Sequence, residues 1–180
     1  MAARWLPLCA CGLLAACGPA TGSPVRPVSG GSAAPSASAG CVDKTTATVI
    51  WTSINSRLDA IVLDPNHAGL ADVTTGTAMS DLQQYIQTTL ASKNLTEREV
   101  DRLDNLTVTD AACTGGNLVL TVDTTVTKDD YLKPDGSVDH SDPSVGSQLH
   151  LLETYTRVNG TWKEADIADA SGPSPSGSIV

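Results

Sequence analysis

Glu153 and Tyr155 are the residues of this sequence whose types and spacing are best suited to chemistry. They stand two apart in Leu149-His150-Leu151-Leu152-Glu153-Thr154-Tyr155, and alternate residues of a strand share a face. Leu149 and Leu151 lie on that same face, so the carboxylate would point where the apolar side chains point. A carboxyl buried beside a phenol has a raised pKa and can act as a base. A bulge or a frayed edge would instead turn Glu153 to solvent, and that is the expectation for a lone acid in an apolar row. His150 falls on the opposite face and reads as a surface or sheet-edge residue. His67 sits in a connecting segment with no partner near it in the sequence. The run 128–142 gathers Asp129, Asp130, Asp135, Asp139 and Asp142, and clustered carboxylates invite a calcium ion. The spacing fails that loop motif, since Gly146 stands where a Glu would have to follow Asp135, so the run reads as an acidic, solvated hairpin loop. The chain carries no phosphate loop, zinc spacing or nucleophile elbow, and no metal or cofactor is expected.

These residues must be positioned by a helical half followed by a strand half. Ile50, Ile54, Leu58 and Ile61, with Ala47 and Trp51 beside them, recur at helical spacing and predict one long amphipathic helix over 43–62. Asp64-Pro65-Asn66 ends it. A short helical turn is expected over 67–73. Met79, Leu82, Ile86 and Leu90 then mark a second helix over 77–92, with Tyr85 near its stripe. After Asn105 the period becomes two. Leu106 and Val108 alternate with threonines, and Leu118, Leu120, Val122 and Val126 alternate with polar residues, as half-buried strands do. Gly115-Gly116-Asn117, Pro134-Asp135-Gly136 and Asn159-Gly160 supply the turns. Helices first and an antiparallel sheet afterwards make an α+β fold.

The two ends read differently. Residues 1–16 open on Arg4 and continue as an apolar stretch of 12 residues from Trp5 to Ala16, too short to cross a bilayer and typical of a signal peptide. Leu14-Ala15-Ala16-Cys17 at its end resembles the lipobox of bacterial lipoproteins. That resemblance implies cleavage before Cys17, lipid attachment to its thiol and anchorage at the extracytoplasmic face of the cell membrane. The alternative is an ordinary secretory signal whose cleavage site happens to contain a Cys. Residues 17–40 are then the lipidated Cys and a tether of Gly, Pro, Ala and Ser in which Arg26 is the only charge, a composition that cannot bury enough surface to fold. As a flexible coil it would span about 26 Å. Residues 170–180, with Pro173 and Pro175 among serines and glycines, form a disordered tail, which leaves 41–169 as the domain. In a bacterial lipoprotein the Asn-x-Thr patterns at Asn94, Asn105 and Asn159 are chance matches.

Five cysteines are present, but Cys9 and Cys11 leave with a leader and lipid blocks Cys17. Cys41 and Cys113 remain as an even pair in an extracytoplasmic protein, where a disulfide is expected; two separate buried thiols are the alternative. Neither lies beside a His or in a Cys-x-x-Cys spacing, which argues against catalysis. The apolar residues make up 41% of the chain without a single Phe, so the core must be Leu, Val, Ile and Ala around a few Trp and Tyr. A formal charge of −9, more negative once Arg4 is lost, argues against nucleic acid or an anionic lipid surface as a partner. Membrane contact must then be covalent.

Residues 41–169 resemble the nuclear transport factor 2-like fold, a cone-shaped, cystatin-like α+β arrangement, and within it small envelope lipoproteins of Gram-positive bacteria. The residues that carry the likeness are the long first helix, the helix start Gly76-Thr77-Ala78-Met79-Ser80-Asp81-Leu82, the segment Val108-Thr109-Asp110-Ala111-Ala112-Cys113 and the closing hairpin Tyr155-Thr156-Arg157-Val158-Asn159-Gly160-Thr161-Trp162-Lys163. The resemblance implies a curved sheet wrapped on the helices with a pocket at the open end. Some members use that pocket for isomerase or lyase chemistry with an acid or base and a Tyr, others bind partners without chemistry, and others serve as assembly subunits of envelope secretion or conjugation complexes. Two departures weaken the enzyme reading. Glu164 stands where relatives are often apolar, so the last strand is shifted or an acid faces the helices. Trp51 occupies the first helix where an oxyanion-donating Tyr would be needed. The expected function is a non-catalytic, membrane-anchored domain for an envelope protein or a small apolar ligand, with a homodimer through the outer sheet face as a further partnership. Glu153 and Tyr155 carry the lyase or isomerase alternative.

Overall fold

The computed structural model describes residues 41–113 and 115–171. The leader, Cys17, the tether and the tail beyond Ser171 lie outside the described residues. Helix α1 spans Lys44–Leu63. Asp43 starts it by accepting the Thr46 amide at 2.7 Å, which satisfies an N–H that the first turn leaves without a carbonyl. Ala47, Trp51, Ile54, Leu58, Ile61 and Val62 are buried at intervals of three and four, the apolar stripe expected from the sequence. The helix stops at Asp64, whose extended backbone is what a following proline demands.

Two shorter helices follow, α2 over Leu70–Val73 and α3 over Gly76–Tyr85. The helical path after α3 runs on through a π turn, Ile86–Leu90, and a 3₁₀ turn, Ala91–Lys93, so its end agrees with the expected one while its winding changes. Ile86 and Leu90 are both buried. Gly76 at the start of α3 has φ +58°, and a Cβ there would lie 2.9 Å from the Ala165 carbonyl oxygen. The Thr75 amide donates to the Glu164 carbonyl at 2.8 Å, so α3 begins docked on the last strand, at a contact only glycine permits.

The sheet is antiparallel between all its paired strands and runs β1 (Thr96–Ala111), β2 (Leu118–Leu132), β4 (Gln148–Val158), β5 (Thr161–Asp169), with β3 (Val138–Ser141) also paired to β2. Helices packed on one antiparallel sheet are the α+β class. The inward row of β2, Leu118, Leu120, Val122, Thr124 and Val126, is buried, and Leu118, Leu120 and Val122 join the α1 stripe in one core. The expected turns at Gly115-Gly116-Asn117, Pro134-Asp135-Gly136 and Asn159-Gly160 join β1 to β2, β2 to β3 and β4 to β5.

One expectation is corrected here. The strand half does not begin after Asn105 but at Thr96. The missing half of β1 escapes the apolar alternation because its inward positions are acids. Glu97 is buried, Glu99 lines a small cavity under the helices and both carboxyl oxygens of Asp101 are shielded from solvent. Register shifts at Val100/Asp101 and Leu103/Asn105 interrupt the period further.

Cys41 and Cys113 are joined by a disulfide across 72 residues, and the Val42 amide donates to the Ala111 carbonyl at 2.8 Å beside it. The bridge ties the entry to α1 onto the end of β1. Chain entropy for a loop of this size gives about 4 kcal/mol, so Cys113→Ala is expected to lower the unfolding free energy by that order, measured by denaturant titration. Gly76→Ala is expected to cost about 1–3 kcal/mol by the same measurement, because the strained φ and the Ala165 carbonyl both oppose a Cβ.

Candidate functional site

Glu153 does not turn to solvent. Its side chain is 0% exposed, because β4 pairs without interruption beside β2 over this stretch and sets Leu120, Glu153 and Ile167 side by side across three strands. The irregularity next to it falls on β5, where Ala165 is skipped opposite Thr154 and Tyr155, and leaves the pairing of Glu153 intact. Tyr155, also fully buried, donates its hydroxyl to Glu153 Oε2 at 2.5 Å. A phenol next to a carboxylate on one strand face is the acid–base constellation expected from the spacing. Glu164, opposite Tyr155, is buried as well. Both readings of Glu164 hold together, since the register shifts between Thr154 and Tyr155 and the acid faces inward.

Next to Glu164 is a small cavity between α1, α3, β1 and β5, where Asp59, Asp81, Glu99 and Glu164 meet Leu58 and Leu82. Its free volume is about 20 Å³, room for a single water and far below the 300–1,000 Å³ of a small-molecule site. Burial, followed by the charge of Asp166, raises the pKa of Asp81. Trp51 is buried in the core, and Tyr85 and Trp162 are partly buried against that core.

A second group of polar side chains was not anticipated. Asp129 is 1% exposed, which corrects the reading of 128–142 as a solvated loop. β2 extends to Leu132, and the shift that skips Thr127 turns Asp129 inward. There it accepts the Ser144 hydroxyl at 3.2 Å and is in hydrogen-bond contact with Glu97. Tyr85 also contacts Glu97, and the Tyr85 and Tyr131 hydroxyls are 2.8 Å apart. Burial, reinforced by Glu99 and Asp129, pushes Glu97 up to about 9. Burial and the charge of Asp142 raise Asp129, and burial lifts Tyr131 to about 12. The available signal was the period-two spacing of Glu97, Glu99 and Asp101, which a search for apolar alternation passes over.

The remaining candidates are on the surface. His150 is on the outer face, as expected, and its Nδ1 pairs with Asp123, which also accepts Asn105 Nδ2 at 3.2 Å. The His150 and Asn105 hydrogen bonds keep Asp123 below its usual value. They border an open groove of about 380 Å³ with Asp104 and Gln148, but Asp104 is engaged by Arg102 at 2.7 Å and Thr125 at 2.5 Å. His67 lies in a loop, and its Nδ1 meets the Ile61 carbonyl at 3.0 Å, a partner six residues back that the sequence reading did not supply. Asp130 holds Arg98 at 2.8 Å and Ser141 at 2.6 Å, Asp135 holds Ser137 and Asp139 holds His140, so these carboxylates are spent on local pairs. Among the described residues no three His, Cys, Asp or Glu side chains are grouped to hold a metal ion, and no helix is long and apolar enough to cross a membrane.

No protein-family model matches the chain, and no curated protein matches it. Among solved structures it is similar to the intermembrane space region of the chloroplast protein ARC6, with a TM-score of 0.50 and 16% identity over 71% of this chain and 96% of that one. Aln2 from a Streptomyces species aligns with a TM-score of 0.46 and 14% identity over 71% of this chain and 91% of its own. The likeness to the ARC6 region is one of fold.

Tyr155→Phe removes the donor to Glu153 and leaves a buried carboxylate short of one hydrogen bond, which costs about 1–3 kcal/mol. The expected result is a loss of that size in denaturant unfolding, with the fold retained by circular dichroism.

Proposed function

We propose that this chain is a lipid-anchored, extracytoplasmic domain that works without catalysis, by binding an envelope protein through its surface. The observation that carries the reading is the burial of the one acid–base pair anticipated from the sequence: Glu153 and Tyr155 are 0% exposed, out of reach of a substrate, and the small cavity at the neighbouring Glu164 has room for about one water. In this reading residues 1–16 are a signal peptide, Cys17 carries the lipid, 17–40 form the tether, 41–169 are the cone-shaped, nuclear transport factor 2-like domain and 170–180 are a tail. All the acids of the chain lie in that domain, whereas Arg4 and Arg26 lie outside it. A domain so acidic repels nucleic acid and anionic lipid and favours a partner with a basic or neutral polar surface.

Two experiments test the reading. In membrane fractionation the wild-type chain is expected in the detergent-soluble membrane fraction and Cys17→Ser in the soluble or secreted fraction; retention of the variant at the membrane would defeat the lipid anchor. Crosslinking in intact cells is expected to yield a discrete adduct with another envelope protein. A crosslink only to a second copy would make the domain a homodimer instead, and a lipid or metabolite co-purifying with the monomer would replace the protein-binding reading with a carrier. The isomerase or lyase alternative would require Glu153→Gln to abolish a turnover that the wild type performs.

A further inference from the structure

Five side chains from four parts of the fold form one hydrogen-bonded chain. Tyr131 of β2 meets Tyr85 of α3, hydroxyl to hydroxyl. Tyr85 contacts Glu97 of β1, and Glu97 contacts Asp129 of β2. The Ser144 hydroxyl, from the segment between β3 and β4, donates to Asp129 Oδ2. Ionised carboxylates only accept hydrogen bonds, and Asp129 Oδ1, shielded from solvent, has no donor among the described residues. Two buried carboxyls in contact without a donor between them are reconciled when one of them carries a proton.

Among the described residues the charges that act most strongly on the pair are negative. Glu99 and Asp101 on β1 and Asp142 in the segment add negative charge near the pair. Tyr85 and Tyr131 are neutral, with ionisation disfavoured by burial. Arg98 and Lys128, the bases adjoining in sequence, are paired with Asp130 at 2.8 and 3.5 Å. His140 of β3 is stacked on Tyr131, ring centroids 4.5 Å apart, and hydrogen-bonded to Asp139.

We propose that Glu97 and Asp129 hold one proton between them and that this proton latches segment 142–147 onto β2, so that the segment opens more readily as pH rises. The segment touches β2 through few backbone hydrogen bonds, Asp142 N to Asp129 O and Gly146 N to Val126 O at 2.8 Å and Val126 N to Ser147 O at 3.0 Å. Ser144 is its side-chain clasp. With the proton in place Asp129 is satisfied from both sides. Without it two adjacent anions face each other in a buried site, and opening the segment to water relieves them. The sign follows from linkage. In the closed form burial and the neighbouring carboxylates hold the pair's proton well above the ordinary carboxylate range, whereas an exposed carboxyl releases it within that range. Between those limits the open form binds fewer protons, so opening is favoured by up to about tenfold per pH unit.

The test is native-state hydrogen exchange on the full-length chain between pH 5 and 8, with each rate divided by its intrinsic chemical rate. Protection of the Asp142 and Gly146 amides is expected to fall by up to about tenfold per pH unit in the wild type. In Glu97→Gln, whose amide donates to Asp129 without titrating, it is expected to stay flat. A flat wild-type profile, or an equal slope in Glu97→Gln, overturns the proposal. The Glu97 and Asp129 side-chain carboxyls followed by ¹³C NMR in the wild type need no variant: one proton is expected to stay on the pair through neutral pH, and loss of both protons in the ordinary carboxylate range overturns the latch.

Discussion

β2 hydrogen-bonds to β1 along one edge and to β4 and β3 along the other, so its register decides which side chains of three other strands face α1. Leu118, Leu120 and Val122 are 0% exposed and hold that register, since a slip of one residue would carry the whole inward row to the solvent face. Leu106 is set beside Val122, Glu153 beside Leu120 and Tyr155 beside Leu118 as a consequence. Asp129, on β2 itself, faces inward because Thr127 has no partner in the β1 ladder.

Such an arrangement places acids on the apolar side of the sheet, and an acid there is costly unless a donor or a proton accompanies it. Two solutions coexist. Glu153 has a phenol on its own strand, two residues away, so the donor arrives with the strand whatever the rest of the fold does. Glu97 and Asp129 rely on donors brought from elsewhere, Tyr85 from α3 and Ser144 from the segment after β3. The first pair therefore belongs to the rigid centre of the sheet. The second depends on how the periphery packs, and it is accordingly the place where protonation and conformation are coupled.

The outer face follows the opposite rule. Asp104, Asp123 and Asp130 have partners in Arg102, His150 and Arg98 at partly exposed positions, where ion pairs contribute little to stability. Charge pairs on the outer face and buried acids on the inner one are thus two separate polar systems of the same sheet. The disulfide at Cys41 fixes the first described residue against the end of β1, so any pull on the chain before it reaches the sheet without unwinding α1.

How much was legible follows from what each signal consists of. The long first helix, the three turns, the strand positions from Leu106 to Val126 and the closing hairpin were readable because apolar period and turn chemistry are local properties of the chain, whereas the end of β2 and β3 fell in the acidic run read as a loop. The shared face of Glu153 and Tyr155 was likewise determined by their spacing, since alternation in a strand needs no tertiary information. Whether that face was buried was decided only by β4 lying between β2 and β5. The first half of β1 and the inward turn of Asp129 were decided entirely by tertiary structure, because their inward residues are acids. Nothing in an acid's local sequence announces that a tyrosine 12 residues before Glu97, or a serine 15 residues after Asp129, will arrive to satisfy it.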